Sequence, residues 1–180
     1  MGNIFLISDT HFGHEKTCTT FHGPDGKYLR PFANAEEMDE AMVARWNDVV
    51  RSPSDKVYHL GDVTIKKKFL PILDRLNGKK RLIRGNHDIF DTKEYAKYFG
   101  EIYGVRVLDD MILSHIPLAL ECITERFHAN VHGHTHANVM KNYRYVSVCV
   151  EQTNYAPQPI EVVRRRIKDR CIEAFDIGGM

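Results

Sequence analysis

Short apolar runs that end abruptly at polar clusters set the pattern of this chain. Ile4 to Ile7, Val57 to Leu60, Leu82 to Arg84, Met111 to Leu113 and Ala129 to His132 are each too short for a stable helix and read as buried strands. Every one is followed by a single serine or glycine and then by aspartate, asparagine or histidine. Between them the period lengthens. Asn34, with Glu37 three residues later, makes a capping-box-like start for a helix to Val50, whose Met38, Met42, Trp46 and Val49 repeat at helical spacing. A second helix is expected over Phe69 to Leu76, stopping at Asn77-Gly78 and carrying Pro71 near its first turn, and a third over Lys93 to Phe99. Val105 to Leu108 and the alternating stretch Tyr143 to Val150 read as further strands. Gln158-Pro159 is expected to open a last helix with Ile160, Val163, Ile167 and Cys171 on one face. The segment through Gly23-Pro24-Asp25-Gly26 and Arg30-Pro31 reads as a loop.

Strands and helices in alternation predict an α/β protein, and the pattern alone leaves a single doubly wound sheet and a two-sheet sandwich equally open. No repeat, linker or compositional break divides the chain, so residues 1–180 are expected to form one domain. With 43% hydrophobic residues over 180 positions there is enough apolar surface for a real core. The net charge of +1 provides no global field for nucleic acid or an anionic membrane, so neither is expected as a partner. Cys18, Cys122, Cys149 and Cys171 are far apart and lack a Cys-x-x-Cys spacing. With no basic-then-apolar leader and no membrane-length apolar run, a reducing cytoplasm is the expected compartment and the thiols are expected as small core residues. Oligomeric state is left open.

The polar clusters at the strand ends are Asp9-Thr10-His11, Gly61-Asp62, Gly85-Asn86-His87-Asp88, His115 and Gly133-His134-Thr135-His136. Carboxylate, imidazole and amide donors without thiolate suit a catalytic pair of divalent ions, about 3.5–4 Å apart and sharing an anionic ligand, better than a structural zinc site. Manganese is the first expectation, with iron, zinc or nickel as alternatives.

In this order and context the clusters resemble the calcineurin-like metallophosphoesterase superfamily. The runs Ser8-Asp-Thr-His-Phe-Gly-His14 and His59-Leu-Gly-Asp62 are similar to its small single-domain bacterial and phage members. The resemblance implies two mixed β-sheets packed as a sandwich flanked by helices. It implies that Asp9, His11 and His136 hold one ion, that Asn86, His115 and His134 hold the other, and that Asp62 bridges them. It further implies hydrolysis of a phosphoester by a metal-bridging hydroxide, with His87 as general acid to the departing oxygen. A short Asp or His at a strand end has a plainer reading as a cap or turn residue. That alternative is weakest for the paired motifs and strongest for the isolated His115.

The chain departs from the phosphoprotein phosphatase branch, whose second motif continues as Gly-Asp-x-x-Asp-Arg-Gly; here the run is Gly61-Asp62-Val63-Thr64-Ile65-Lys66-Lys67. Ile65 cannot orient His87, so Asp88 or a backbone carbonyl is expected to do so. His14 and Arg84 are candidate substrate contacts, the guanidinium through a bidentate grip on phosphate. The competing readings are an exposed loop histidine and a surface arginine. His59 and His132, inside strands beside the motifs, are expected as core or supporting histidines rather than ligands, and His22 and His128 carry no specific signal. Lys66, Lys67 and Lys68, and the Arg164-Arg165-Arg166 run, read mainly as solvated faces. The expected substrate is a small phosphoester or nucleotide, with a slight lean to a phosphodiester. A phosphomonoesterase or nucleotidase, and a metal-binding scaffold of the same fold, are the alternatives.

Overall fold

The computed structural model describes residues 2–177, with side chains to residue 174. Strands β1 (Ile4–Ile7), β2 (Lys56–His59), β3 (Lys79–Ile83) and β4 (Glu101–Tyr103) lie parallel, and β9 (Gln158–Pro159) pairs antiparallel to β1, giving the order β4-β3-β2-β1-β9. A second sheet has the order β5-β6-β7-β8, from β5 (Val105–Leu108), β6 (Met111–Ser114), β7 (Ala129–His132) and β8 (Tyr145–Ser147), with only β5 antiparallel. The architecture is therefore the two-sheet α/β sandwich.

The period-2 geometry of strands explains how the sheets stack. Leu6, Tyr58, Leu60 and Ile83 point from the first sheet into one apolar cluster with Met111, Leu113, Val131 and Val146 of the second. Phe5, Ile7, Val57 and Leu82 point the other way. They meet Met38, Met42 and Trp46 of helix α2 (Ala35–Val49) and Leu70 and Leu73 of a 3-10 helix, Lys67–Arg75. A strand covered on both faces has no reason to alternate with polar residues, which is why Ile4–Ile7 is apolar throughout. Asn34 caps α2 by accepting the Glu37 N–H at 2.8 Å. Ile160 and Val163 of α4 (Ile160–Ile177) extend the core between the sheets.

Several boundaries differ from expectation. The helix expected over residues 69–76 is a 3-10 helix, Lys67–Arg75, that begins and ends earlier, with Pro71 inside, where its missing N–H removes a backbone donor. Gln158-Pro159 forms the edge strand β9 before the helix begins. The strand expected through Val150 stops at Ser147, and the chain turns through a 3-10 segment, Val150–Gln152, that swings Glu151 towards the site. Helix α3 covers Thr92–Tyr95 only. Strand β4 and the four-residue helix α1 (Lys16–Thr19) carry no periodic signal of their own. Strand β3 begins at Lys79, which pairs with Lys56 of β2, and Arg81 opens its pairing with β4, where it bonds Glu101 at 2.6 Å and lies over the Tyr58 ring. Of the cysteines, Cys18 and Cys149 are buried, but Cys122 is exposed and Cys171 partly so, which corrects the expectation of four core thiols. Arg164 and Arg165 are exposed while Arg166 is half-buried. Among the described residues no helix is long and apolar enough to cross a membrane.

Candidate metal centre

The loops that leave β1, β2, β3, β6 and β7 meet above the ends of both sheets, and backbone hydrogen bonds lace them together. Asp9 N–H donates to the Gly61 carbonyl (2.9 Å), His11 N–H to Asp62 (3.0 Å) and Gly133 N–H to His115 (2.9 Å). The approach is too close for ordinary residues at two points. A Cβ on Gly61, at φ 93°, would stand 2.6 Å from the Gly85 backbone, and one on Gly133 would stand 2.0 Å from Ser8 Oγ and 2.5 Å from Asp9 Oδ2.

Positive φ marks the same place. Eight non-glycine residues among those described adopt it, and five are Asp9, His11, Asp62, His134 and His136. Each such position costs about 1–3 kcal/mol and persists where surrounding contacts over-determine it, a pattern concentrated at functional sites.

The fold brings all seven expected ligands together. Asp9 Oδ1 is buried, makes no hydrogen bond, and lies 3.8 Å from His11 Nε2 and 3.9 Å from His136 Nε2. Asp62 Oδ2 lies between two imidazoles, 3.5 Å from His11 Nε2 and 3.4 Å from His115 Nε2, while its Oδ1 accepts the His87 N–H at 2.8 Å. Asn86 Oδ1 is 2.9 Å from His115 Nε2 and 3.0 Å from His134 Nδ1. Two overlapping triads thus share Asp9: Asp9, His11 and His136, and Asp9, Asp62 and His115, with ligand atoms within 4.8 Å of one another. Asn86 and His134 close the second.

Donor chemistry tests whether these residues fit a cation. His115 Nδ1 lies 2.7 Å from the Leu60 carbonyl, so that nitrogen carries the ring proton and Nε2 presents a lone pair. Nε2 then faces Asn86 Oδ1 and Asp62 Oδ2, an all-acceptor cluster that repels itself unless a positive charge sits inside. Burial works against charge on His115, yet the Asp62 and Asp9 carboxylates raise its pKa, the same pull that would favour a cation there. Burial raises the Asp9 carboxyl against the pull of His136 and His115, and pushes His11 well below the usual imidazole range. Ligand atoms about 2.0–2.2 Å from an ion lie about 3–4 Å from each other, the spacing seen here.

The chain belongs to the calcineurin-like phosphoesterase superfamily. The model of that superfamily's domain matches residues 3–151, from β1 through the turn that carries Glu151. An uncharacterised protein of Methanocaldococcus jannaschii is 36% identical over 185 residues, covering 93% of each chain. The Gene 66 protein of Mycobacterium phage L5 is 27% identical over 172 residues, covering 76% of this chain and 79% of its own. A crystal structure of a protein of unknown function from Aquifex aeolicus matches with a TM-score of 0.72 and 28% identity, over 92% of this chain and 99% of that one. The superfamily is one of metal-dependent phosphoester hydrolases, and the Asp and His groups here are arranged to bind metal.

The remaining candidates divide. His87 is exposed and its ring lies edge-on to His11 with centroids 5.5 Å apart, over the centre. His14 is half-buried, 5.6 Å from the His11 ring, with Nδ1 unpartnered and its pKa lowered to about 4, first by burial and then by Arg30 and His87.

Asp88 does not orient His87. Its carboxylate accepts N–H from Asp62 (2.8 Å), Val63 (3.0 Å) and Gly85 (2.8 Å), which ties the β2 and β3 loops together. Arg84 is likewise turned away from phosphate. Its Nε and NH2 donate to the Asp88 carbonyl, NH2 also to the Phe90 carbonyl, and NH1 to Thr92 Oγ1. These bonds arise because the Asn86 to Phe90 turn leaves carbonyls that need donors.

His59 and His132 sit behind the ligands, bonded to Thr10 Oγ1 and the Gly133 carbonyl. Burial lowers them to about 3 and about 4, so both are neutral.

Sequence reasoning missed the support of the Asp9 side. Arg30, fully buried, donates NH1 to the Thr10 carbonyl (2.7 Å), NH2 to the Asp9 carbonyl (2.6 Å) and Nε to Glu151 Oε1 (2.9 Å). The same Glu151 oxygen lies 3.0 Å from His136 Nδ1, fixing that nitrogen as the proton carrier and turning Nε2 towards Asp9. Burial would raise Glu151, but Arg30 and His136 hold it down at about 2. Asp39 of α2 accepts the Gly13 N–H, and the Cys149 thiol donates to Asp9 Oδ2 at 3.3 Å. In sequence, Arg30 had only the look of an Arg-Pro loop residue, and Glu151 no motif at all.

Proposed function

We propose that the protein is a phosphodiesterase acting through two divalent ions, with manganese the first choice and iron, zinc or nickel the alternatives. Its substrate is a small phosphoester or nucleotide, and its home is the cytoplasm. The observation that carries the two-ion reading is Asp62 Oδ2 lying 3.5 Å and 3.4 Å from histidines of two different clusters, the position of a shared anionic ligand. Asp9, His11 and His136 hold one ion; Asn86, His115 and His134 hold the other. Bound there, the pair supplies Lewis acidity towards the phosphoryl oxygens and acidifies water to a nucleophile near neutral pH.

The chain itself supplies proton transfer and orientation. The His87 backbone N–H is fixed on Asp62 Oδ1, so the imidazole rises from the loop next to the shared carboxylate, where it donates its proton to the leaving oxygen. Asp88 acts at one remove by holding the Gly85 and Asp62 backbones in register. The lean to a diester has a structural support. A monoester dianion favours a bidentate arginine, and the two arginines beside the centre, Arg30 and Arg84, are both engaged by carbonyls or Glu151. A monoanionic diester needs less positive charge.

The test is a substrate panel on protein reconstituted with manganese: bis-aryl phosphate, mono-aryl phosphate, and cyclic and linear nucleotides. Higher kcat/KM for the diesters is expected. A monoester preference across aryl and nucleotide substrates would overturn the diester assignment, and full metal occupancy without any turnover would favour the scaffold.

A further inference from the structure

The loops that carry the metal-binding side chains also carry large apolar residues that nothing covers. Ile89 is 72% exposed, Ile116 51% and Phe21 43%. Ile116 follows His115 directly, and its carbonyl is pinned by Ser114 Oγ at 2.7 Å. Ile89 follows the His87-Asp88 pair in a tight turn in which its N–H donates to the His87 carbonyl at 2.9 Å. The two loops touch through His115 Nε2 and Asn86 Oδ1 at 2.9 Å, and the isoleucines stand one residue beyond His115 and three beyond Asn86 on those loops. On the other side Phe21 meets His14 edge-on with centroids 5.6 Å apart, and His14 meets His11 at the same distance.

Exposed isoleucines are scattered singly on ordinary surfaces and need no explanation. Three large apolar residues on loops that converge on a polar centre are a different arrangement, the apolar lining with a few convergent polar groups that typifies small-molecule sites. Their neighbour determines what they meet. A group that protonates the leaving oxygen must stand beside it, and the turn directly beyond His87 presents Ile89 to solvent.

We propose that Ile89 and Ile116 are specificity-determining residues that receive the leaving group, and that the substrate's leaving group is apolar or aromatic rather than a polyol. The proposal rests on the phosphoester hydrolase reading above and names the chemical class of the group released. Phe21, across the centre, offers a second apolar surface to the substituent that stays on phosphorus.

The experiment compares methyl and benzyl leaving groups on otherwise identical phosphodiesters. The two alcohols have closely similar acidity, so the difference reads apolar contact and not leaving-group chemistry. Manganese-loaded full-length protein is expected to favour the benzyl ester in kcat/KM by about 10–100-fold, the range for an added apolar group received in an apolar pocket. In Ile89→Ser/Ile116→Ser that preference should fall to within about threefold, chiefly through the benzyl ester, with the manganese content retained. Both positions are at least half exposed, so the variant is expected to fold, and Ile89→Ser alone should lose part of the preference. Competition by benzylphosphonate against methylphosphonate, read by calorimetry, should show the same dependence without turnover. Equal rates for the two esters in the wild type, or a preference that survives the double substitution, would overturn the apolar leaving-group site while leaving the hydrolase intact. Failure of the metal-loaded wild type to cleave either ester or any phosphoester would overturn both.

Discussion

Asp9 and His11 lie buried, 0% and 3% exposed, behind a fully buried arginine and the chain of hydrogen bonds it anchors, while Asn86 and His134, which complete the other half of the centre, are open to solvent. The buried half is held from behind: Arg30 grips the Asp9 and Thr10 carbonyls, Glu151 orients His136, and Asp39 takes the Gly13 N–H. The open half is held at its base, where the Leu60 carbonyl fixes His115 and Asp88 ties the neighbouring loops; Asn86 Oδ1 meets His115 and His134, and the His134 N–H donates to Asp9 Oδ2 at 2.9 Å. His87 and the exposed isoleucines stand on the open side. On the proposed reading, one half would hold its ion in fixed geometry and the other would admit a substrate. Asp62 and Asp9 join the two, Asp62 between His11 and His115 and Asp9 in both triads.

The largest effect is expected where the halves join. Asp62→Asn removes the carboxylate that lies between His11 and His115, and should lower turnover by about 10³-fold or more, beyond the ~10–100-fold expected when only an outer partner of a ligand is lost. Metal content, measured on the purified variant, should fall below that of the wild type. A variant with unchanged rate and unchanged metal would show that the halves do not depend on this residue.

His87→Ala tests the open half alone. It should retain both ions and slow hydrolysis by ~10²–10⁴-fold, the usual range for a lost general acid. The loss should be far greater for esters with poor alkoxide leaving groups than for activated aryl esters, whose leaving groups need little protonation. Equal damage to both classes would make His87 a phosphate holder, and loss of metal would make it a ligand.

Glu151→Gln tests the buried half. Glutamine keeps the shape and an acceptor for Arg30 but withdraws the charge that polarises His136. Affinity for one of two manganese ions should fall ~10–100-fold in a calorimetric titration, while the other ion binds as in the wild type. Equal weakening of both ions would mean that the two halves are not independent.

The difference between the halves also explains what could be read from the chain alone. The candidate ligand positions stood out because each lies just after a strand, six of them in short motifs and His115 alone, and strand ends follow from apolar runs. The two-sheet arrangement was legible only through the resemblance carried by those motifs, since parallel strands buried on both faces look alike in either architecture. Arg30, Asp39 and Glu151 were not legible. They reach the site from a loop, a helix and a turn that are distant in sequence, and burial, the property that gives each its role, leaves no local pattern. Asp88 and Arg84 were misjudged for a related reason: their types and positions suited catalysis, but the turn from Asn86 to Phe90 and the loop after β2 have backbone groups of their own that these side chains satisfy.

The smallest effect concerns the outer edge of the buried half. Asp39 is only 6% exposed, and burial raises its carboxyl to about 6 against the opposing Gly13 N–H bond and Arg30 charge. The folded protein thus binds this proton more tightly than the unfolded chain, whose carboxyl titrates near 3.8. The stabilisation from that proton is complete below about 3.8 and is lost as pH rises through about 6. Asparagine keeps an acceptor for Gly13 and does not titrate. Measured by denaturant unfolding of the metal-free protein, the stability of the wild type relative to Asp39→Asn should therefore increase between pH 7 and pH 4, on the order of 1–3 kcal/mol. The rise belongs to a buried carboxyl supporting the loop beyond His11. A flat difference across that range, or one of opposite sign, would mean that water reaches Asp39 and that the buried half ends nearer to His11.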